Sequence, residues 1–203
     1  MLIILDINNI CRIKVMWVQL NTEKDVKTHN RLVKKINLKM LLFTLEVILF
    51  FVVINVIFEF SYIKGKSMEP TVYNKDVVIV NKLIYKLKEP KYKDVVIFHS
   101  DIDGGKYLIK RVIGVPGDTI KITNGKLYVN KKEVKENYIK NKMINKKDYN
   151  VKIPQGKIFV MGDNRNVSLD SRDESVGLIN YKHDIKGKAV MKVFPLKKMC
   201  YLN

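Results

Sequence analysis

Histidine and cysteine are scarce in this chain, with three and two residues in 203. Cys11 and Cys200 stand near opposite ends and, on the topology derived below, on opposite sides of a membrane, so no disulfide is expected between them. His29 precedes the membrane run, while His99 and His183 sit in the ordinary polar contexts Phe98-His99-Ser100 and Lys182-His183-Asp184. None of the three is marked as the base of a serine–histidine pair. Acidic residues are also few, 20 against 38 Lys and Arg, which leaves a formal net charge of +18. A basic surface gathers anions by long-range attraction. Here the lysines are scattered, and neither zinc-finger spacing nor an aromatic-basic single-strand pattern accompanies them. Nucleic acid is not an expected partner, and the charge reads as solvated and membrane-facing surface.

What the chain does have is one long apolar run. Residues 40–58 are interrupted only by Thr44, Glu46 and Asn55, and as a helix they span about 28 Å, close to a hydrocarbon core. A mid-helix carboxylate costs about 2.5–3.5 kcal/mol on insertion, but Glu46 lies toward the N-terminal end, within reach of the Lys39 flank. A cleavable leader would be shorter and followed by small residues, whereas Glu59-Phe60-Ser61-Tyr62 follows here. A retained transmembrane helix is expected. Lys24, Lys27, Arg31, Lys34, Lys35 and Lys39 precede it, against Lys64, Lys66 and Lys75 just after it. That asymmetry predicts a cytoplasmic N-terminus. Residues 1–39 form the cytoplasmic segment. The stretch 1–38 is apolar at first but broken by Asp6, Arg12 and Lys14. It reads either as a short interfacial helix or as a start placed too far upstream.

Residues 59–203 form the expected soluble domain, on the outer face. Its apolar runs are short and β-branched: 77–80, 95–98, 107–109, 112–113, 120–122, 127–129, 158–160 and 189–193. Asp103-Gly104-Gly105, Pro116-Gly117-Asp118 and Asn124-Gly125 separate them as turn signals, and the last predicts a hairpin. The domain should be mainly β, with a lysine-rich, weakly periodic excursion at about 130–151 that reads as mobile.

Ser67 is followed by Met68-Glu69-Pro70-Thr71, where the proline stiffens the chain directly after a hydroxyl. A serine needs a base to accept its proton. Lys110, flanked by Leu108-Ile109 and Val112-Ile113, can serve if burial lowers its pKa.

Three segments carry a resemblance. Ser67-Met68-Glu69-Pro70-Thr71, Lys110-Arg111-Val112-Ile113-Gly114-Val115-Pro116-Gly117-Asp118 and Gly162-Asp163-Asn164-Arg165-Asn166-Val167-Ser168-Leu169-Asp170-Ser171-Arg172 resemble, in order, the signature segments of bacterial type I signal peptidases. Lys93-Asp94-Val95-Val96-Ile97-Phe98 resembles a weaker fourth, so the likeness covers roughly residues 40–196. It implies a transmembrane helix followed by a catalytic domain of two antiparallel β-sheets, the β fold shared with repressor-type proteases. It further implies a membrane-bound serine endopeptidase that removes signal peptides from exported preproteins at the outer face of the cytoplasmic membrane. Ser67 would be the acylating nucleophile, Lys110 its base, and Ser168 a hydrogen-bonding partner that orients the amine. Asp163 would pair with Arg111 and Asp170 with Arg172 as braces. A substrate strand would pair with the sheet edge beside the dyad and present small side chains one and three residues before the cut. Tyr62, Ile63, Leu108 and Ile109 are the expected pocket lining. The partners implied are preprotein signal peptides, the phospholipid membrane and the protein-export machinery; no metal or organic cofactor is implied. Some family members add a serine hydroxyl two residues before the nucleophile to hold the oxyanion, and here that position is Gly65. Glycine there fits the single-anchor, Gram-positive-like branch.

Two other patterns are discounted. Gly65-Lys66-Ser67 mimics the end of a phosphate loop, but Phe60 stands where its first glycine belongs. Asn166-Val167-Ser168 is a chance glycosylation pattern. A repressor-type protease would carry a helix-turn-helix where this chain has a membrane run. A non-catalytic anchored β domain that binds acidic polymers would have no need of Ser67 and Lys110 together.

Overall fold

A computed structural model describes residues 7–102, 105–144 and 148–202. The chain divides into two units, Met1–Val53 and Ile54–Asn203. One helix, α1 (Ile7–Ile57), occupies the N-terminal part, and Asn37–Ile57 within it is long and apolar enough to cross a membrane. Leu42, Phe43, Ile48 and Phe51 are exposed along it, as lipid-facing side chains would be. Helix continues back from the span to Ile7, supported locally by a Lys27–Glu23 pair at 2.6 Å.

The helix gives way at once to β1 (Phe58–Tyr62). This strand is hidden in the sequence because its apolar positions follow the helical run with no turn between. The remaining strands are β2 (Val77–Asn81), β3 (Val95–Ser100), β4 (Lys106–Gly114), β5 (Thr119–Thr123), β6 (Lys126–Val129), β7 (Lys132–Glu133), β8 (Tyr149–Lys152), β9 (Lys157–Met161), β10 (Ile179–Asn180), β11 (Ile185–Phe194) and β12 (Cys200–Tyr201). They form two sheets, one ordered β1-β2-β11-β3-β4-β9-β10 with β12 on β11, the other β7-β6-β5-β8. Every pairing is antiparallel. The mainly β architecture of two antiparallel sheets is the expected one. The runs 107–109 and 112–113 are one strand, β4, with Lys110 and Arg111 inside it. The expected hairpin forms: Asn124 and Gly125 have φ of 51° and 73°, the two positive values that a type I′ turn requires.

Side chains alternate across each strand, so the large sheet packs on both faces at β3, β4 and β9, while the outer face of β1, β2, β11 and β12 carries exposed side chains such as Phe60, Phe194 and Tyr201. Val78, Val80, Val95, Ile97 and Ile109 build one cluster with Met68 and Val72 of the Ser67 loop. Val96, Phe98, Val112, Ile158 and Val160 build a second. Between the two sheets, Ile113, Phe159 and Met161 meet Ile120, Ile122, Leu127 and Ile153. Gly114 permits that contact, because a Cβ there would lie 2.5 Å from Ile153 Cδ1 and 2.7 Å from Ile120 Cδ1. The segment after β7 does not hang free of this body: Val134 and Tyr138 pack against the intersheet cluster. Residues 145–147 of the lysine-rich stretch lie outside the described residues.

Candidate active site

Ser67 lies in the loop between β1 and β2, where the chain reverses. The buried side chains of Met68 and Val72 anchor this loop to the core, and the Asn164 N–H donates to the Ser67 carbonyl at 2.9 Å. Lys110 sits mid-strand in β4, held by pairing with Val96 of β3. The two functional atoms meet: Lys110 Nζ is 2.8 Å from Ser67 Oγ. The amine also donates to the Ile109 carbonyl at 3.0 Å.

Lys110 is only 2% exposed. Burial pushes its amine down from 10.5 to about 8, opposed by the Asp170 and Asp163 carboxylates and assisted by the Arg172 guanidinium. Desolvation dominates because a buried ammonium loses its water while the nearest carboxylates are already paired. Near neutral pH a useful fraction of the amine is therefore unprotonated and able to accept a proton.

The bracing residues come together as expected. Asp163 receives Arg111 Nε at 2.9 Å and Nη2 at 2.8 Å, a bidentate pair that is entirely buried. Asp170 receives Arg172 Nε at 2.7 Å and Nη2 at 2.9 Å, and its other role is to accept the Gly162 N–H at 2.9 Å. Two charges placed in the middle of β4 are thus tolerated for different reasons. Arg111 is fully paired, and Lys110 can shed its proton.

Two expectations change. Ser168 Oγ is buried and bonds to nothing among the described residues, so the expected hydrogen bond to the amine is not formed; the Ile109 carbonyl makes that contact instead. Of the four expected pocket residues, Ile63 and Ile109 share the cluster that holds Met68. Leu108 packs against the other cluster, opposite Phe98, because adjacent strand residues face opposite ways. Tyr62 is exposed on the edge strand β1. The four do not form one lining.

Some site residues carried no signal of their own. Thr71 Oγ1 donates to Asp163 Oδ2 at 2.5 Å, and Lys192 Nζ donates to the Thr71 carbonyl at 3.1 Å. Gly162 is the tightest point, since a Cβ there would lie 2.2 Å from Ser168 Oγ and 2.5 Å from the Ser67 carbonyl oxygen. Gly65 has φ +104°, a backbone that L side chains rarely adopt. A serine at that position would be strained, so the missing side-chain donor reflects the loop's conformation as well as its sequence. Among the described residues no group of His, Cys, Asp and Glu could hold a metal ion.

A hydroxyl and a largely dehydrated amine in contact, set on an antiparallel β scaffold, define a serine–lysine hydrolase site. Sequence comparisons with known proteins identify the family. Residues 35–194 match the family described as signal peptidase, peptidase S26. A signal peptidase I P from Bacillus subtilis subsp. natto is 38% identical over 167 residues, covering 76% of this chain and 87% of that protein. A signal peptidase I T from Bacillus subtilis strain 168 is 35% identical over 189 residues, covering 87% and 96%. The crystal structure of a signal peptidase I from Enterococcus faecalis V583 aligns at 29% identity over 51% of this chain and 98% of that one, with a TM-score of 0.44. The chain belongs to the signal peptidase family, peptidase S26.

Proposed function

We propose that the chain is a membrane-anchored serine endopeptidase that removes N-terminal signal peptides from exported preproteins. The observation that carries this reading is the 2.8 Å contact between Ser67 Oγ and the buried Lys110 amine. In the proposed mechanism the Ser67 hydroxyl gives its proton to Lys110 Nζ as Oγ attacks the scissile carbonyl. The lysine then passes that proton to the departing amine of the mature protein. Water, deprotonated by the same amine, releases the signal peptide from Ser67. The Ser67 backbone N–H serves as one oxyanion donor, as the family resemblance implies.

Substrate binding draws on an open strand edge. β9 pairs with β4 only from Arg111 onward, so on that side the stretch 107–110 has no strand partner among the described residues and leaves an edge for an extended peptide. Such strand addition supplies main-chain affinity while alternate pockets read side chains. Small residues one and three positions before the cut fit the close apolar surroundings of Ile63 and Ile109. The helix within α1 is the single anchor, with the N-terminus cytoplasmic and residues 59–203 on the outer face. A second contact with lipid is supported by one exposed apolar face of the large sheet. There Phe60, Ile79, Met191 and Tyr201 align across four strands, with Tyr62, Val77 and Phe194 in the next row. Tethering the dyad where the scissile bond emerges makes the encounter effectively intramolecular.

Incubating the purified full chain with a preprotein in detergent micelles should yield a single new N-terminus at the signal-peptide junction, read by N-terminal sequencing or mass spectrometry. An intact precursor, or cuts scattered through the mature region, would overturn the assignment.

The rate should also titrate. Because the folded amine is held near 8 rather than 10.5, kcat/KM falls about tenfold per pH unit below pH 8 as the base becomes protonated. A flat profile from pH 5 to 9, with chemistry limiting, would rule out a lysine base.

A further inference from the structure

Residues 136–140 belong to none of the three motif segments, yet this stretch touches all of them. The Tyr138 ring centre lies 4.4 Å from the guanidinium carbon of Arg111 and 6.0 Å from that of Arg165. Its hydroxyl donates to Glu136 Oε1 at 2.7 Å, and Glu136 receives both terminal nitrogens of Arg165. Two residues further on, the Lys140 N–H donates to the Asp163 carbonyl at 3.1 Å. The Lys140 amine pairs with Glu69 at 2.5 Å. One short stretch therefore joins the loop that carries Ser67, the strand that carries Lys110, and the turn at Asp163 and Arg165.

These contacts are of the kind that fix geometry. Arg111, Asp163 and Arg165 are almost wholly buried, and a desolvated cation over an aromatic face holds more firmly than an exposed one. Buried ion pairs add little net stability, because desolvation offsets attraction, but each demands one arrangement of its partners. The reacting atoms sit on different elements, and a displacement of about 1 Å can cost a hundredfold in rate.

We propose that residues 136–140 are a positioning strap, in which the Tyr138 ring and the Lys140–Glu69 pair hold the Ser67 loop and strand β4 at reacting distance. The inference rests on reading the chain as a Ser67/Lys110 peptidase. Tyr138 and Lys140 act through Arg111, Asp163 and Glu69, so they are positioning residues.

The test uses the full chain in detergent and a peptide spanning a signal-peptide junction, with Ser67→Ala as the blank. Tyr138→Leu should lose on the order of tenfold or more in kcat with KM within about twofold. Its acid limb should move upward, because a loosened site lets water reach the amine. Tyr138→Phe keeps the ring and should stay within about threefold of the parent. Lys140→Gln, at a half-exposed position, should lose several-fold in kcat at unchanged KM. A folded Tyr138→Leu with parental kcat and pH limb would overturn the strap, as would parental kcat in Lys140→Gln or effects confined to KM. If Tyr138→Leu does not fold, Lys140→Gln decides. If the parent leaves the peptide as intact as the blank does, the peptidase reading falls and the strap with it. If the parent cleaves and the variants match it, the strap alone falls.

Discussion

Lys110→Met should lower kcat by about 10³-fold or more while leaving the folded domain as stable as the parent, or more so. The kinetic part follows from the site: among the described residues no other base contacts Ser67 Oγ, so the hydroxyl would have to lose its proton to solvent. The stability part follows from linkage. The amine titrates near 8 in the folded chain against an ordinary 10.5, so between these values the unfolded chain binds more protons, and stability must rise with pH across that window. Below pH 8 the full penalty of keeping the amine buried applies, on the order of 3 kcal/mol. Methionine has similar length and no charge, and it removes that penalty while forfeiting the hydrogen bonds to Ser67 and Ile109. Melting curves of both proteins at pH 7 and pH 10.5 check this directly. The advantage of the variant at pH 7 should shrink or vanish at the higher value. Residual turnover within tenfold of the parent would remove Lys110 from the base role, and a variant that melts far lower at pH 7 would refute the burial penalty.

Gly162→Ala should cost about a hundredfold in kcat with little change in KM. The added methyl would lie 2.2 Å from Ser168 Oγ and 2.5 Å from the Ser67 carbonyl oxygen, both far inside van der Waals contact. Ser168 could rotate away, but the Ser67 carbonyl is backbone and also accepts the Asn164 N–H at 2.9 Å. Gly162 cannot retreat either, because its own N–H is held by Asp170 Oδ2 at 2.9 Å. The loop carrying the nucleophile must therefore shift relative to β4, and the 2.8 Å contact between Ser67 and Lys110 is what suffers. Overpacking of this kind also lowers stability by about 1–3 kcal/mol. Steady-state kinetics on a folded variant separates the two effects. Parental kcat would mean that the glycine is only a packing convenience.

The features legible in the sequence were those with local causes. The apolar run of residues 40–58 contains most of Asn37–Ile57, and Asn124-Gly125 makes the hairpin its dihedral preferences require. Ser67 and Lys110 were paired by the resemblance of the three motif segments to those of type I signal peptidases. Strand β1 was not legible, since helix and strand abut within a single apolar stretch and neither period stands out. Nor was the continuity of β4, because two charged residues in mid-strand look like a break unless their buried partners are known. The grouping of Tyr62, Ile63, Leu108 and Ile109 failed for a geometric reason: neighbours in sequence alternate across a sheet, so Leu108 and Ile109 cannot line one pocket. Tyr138 gave no signal, and Gly162 gave none beyond opening the third motif segment, because each matters for what lies against it.

By itself, then, the amino-acid order determined which chemical groups are available and which short segments they stiffen: an apolar span, turns that demand positive φ, a hydroxyl followed by proline, a lysine among aliphatic residues. These depend on backbone preference and hydrophobic pattern over a few positions. Only the tertiary structure decided the protonation state of that lysine and its distance from the hydroxyl. Both depend on water being excluded, and on charges being paired, by side chains brought from strands and loops far apart in the chain.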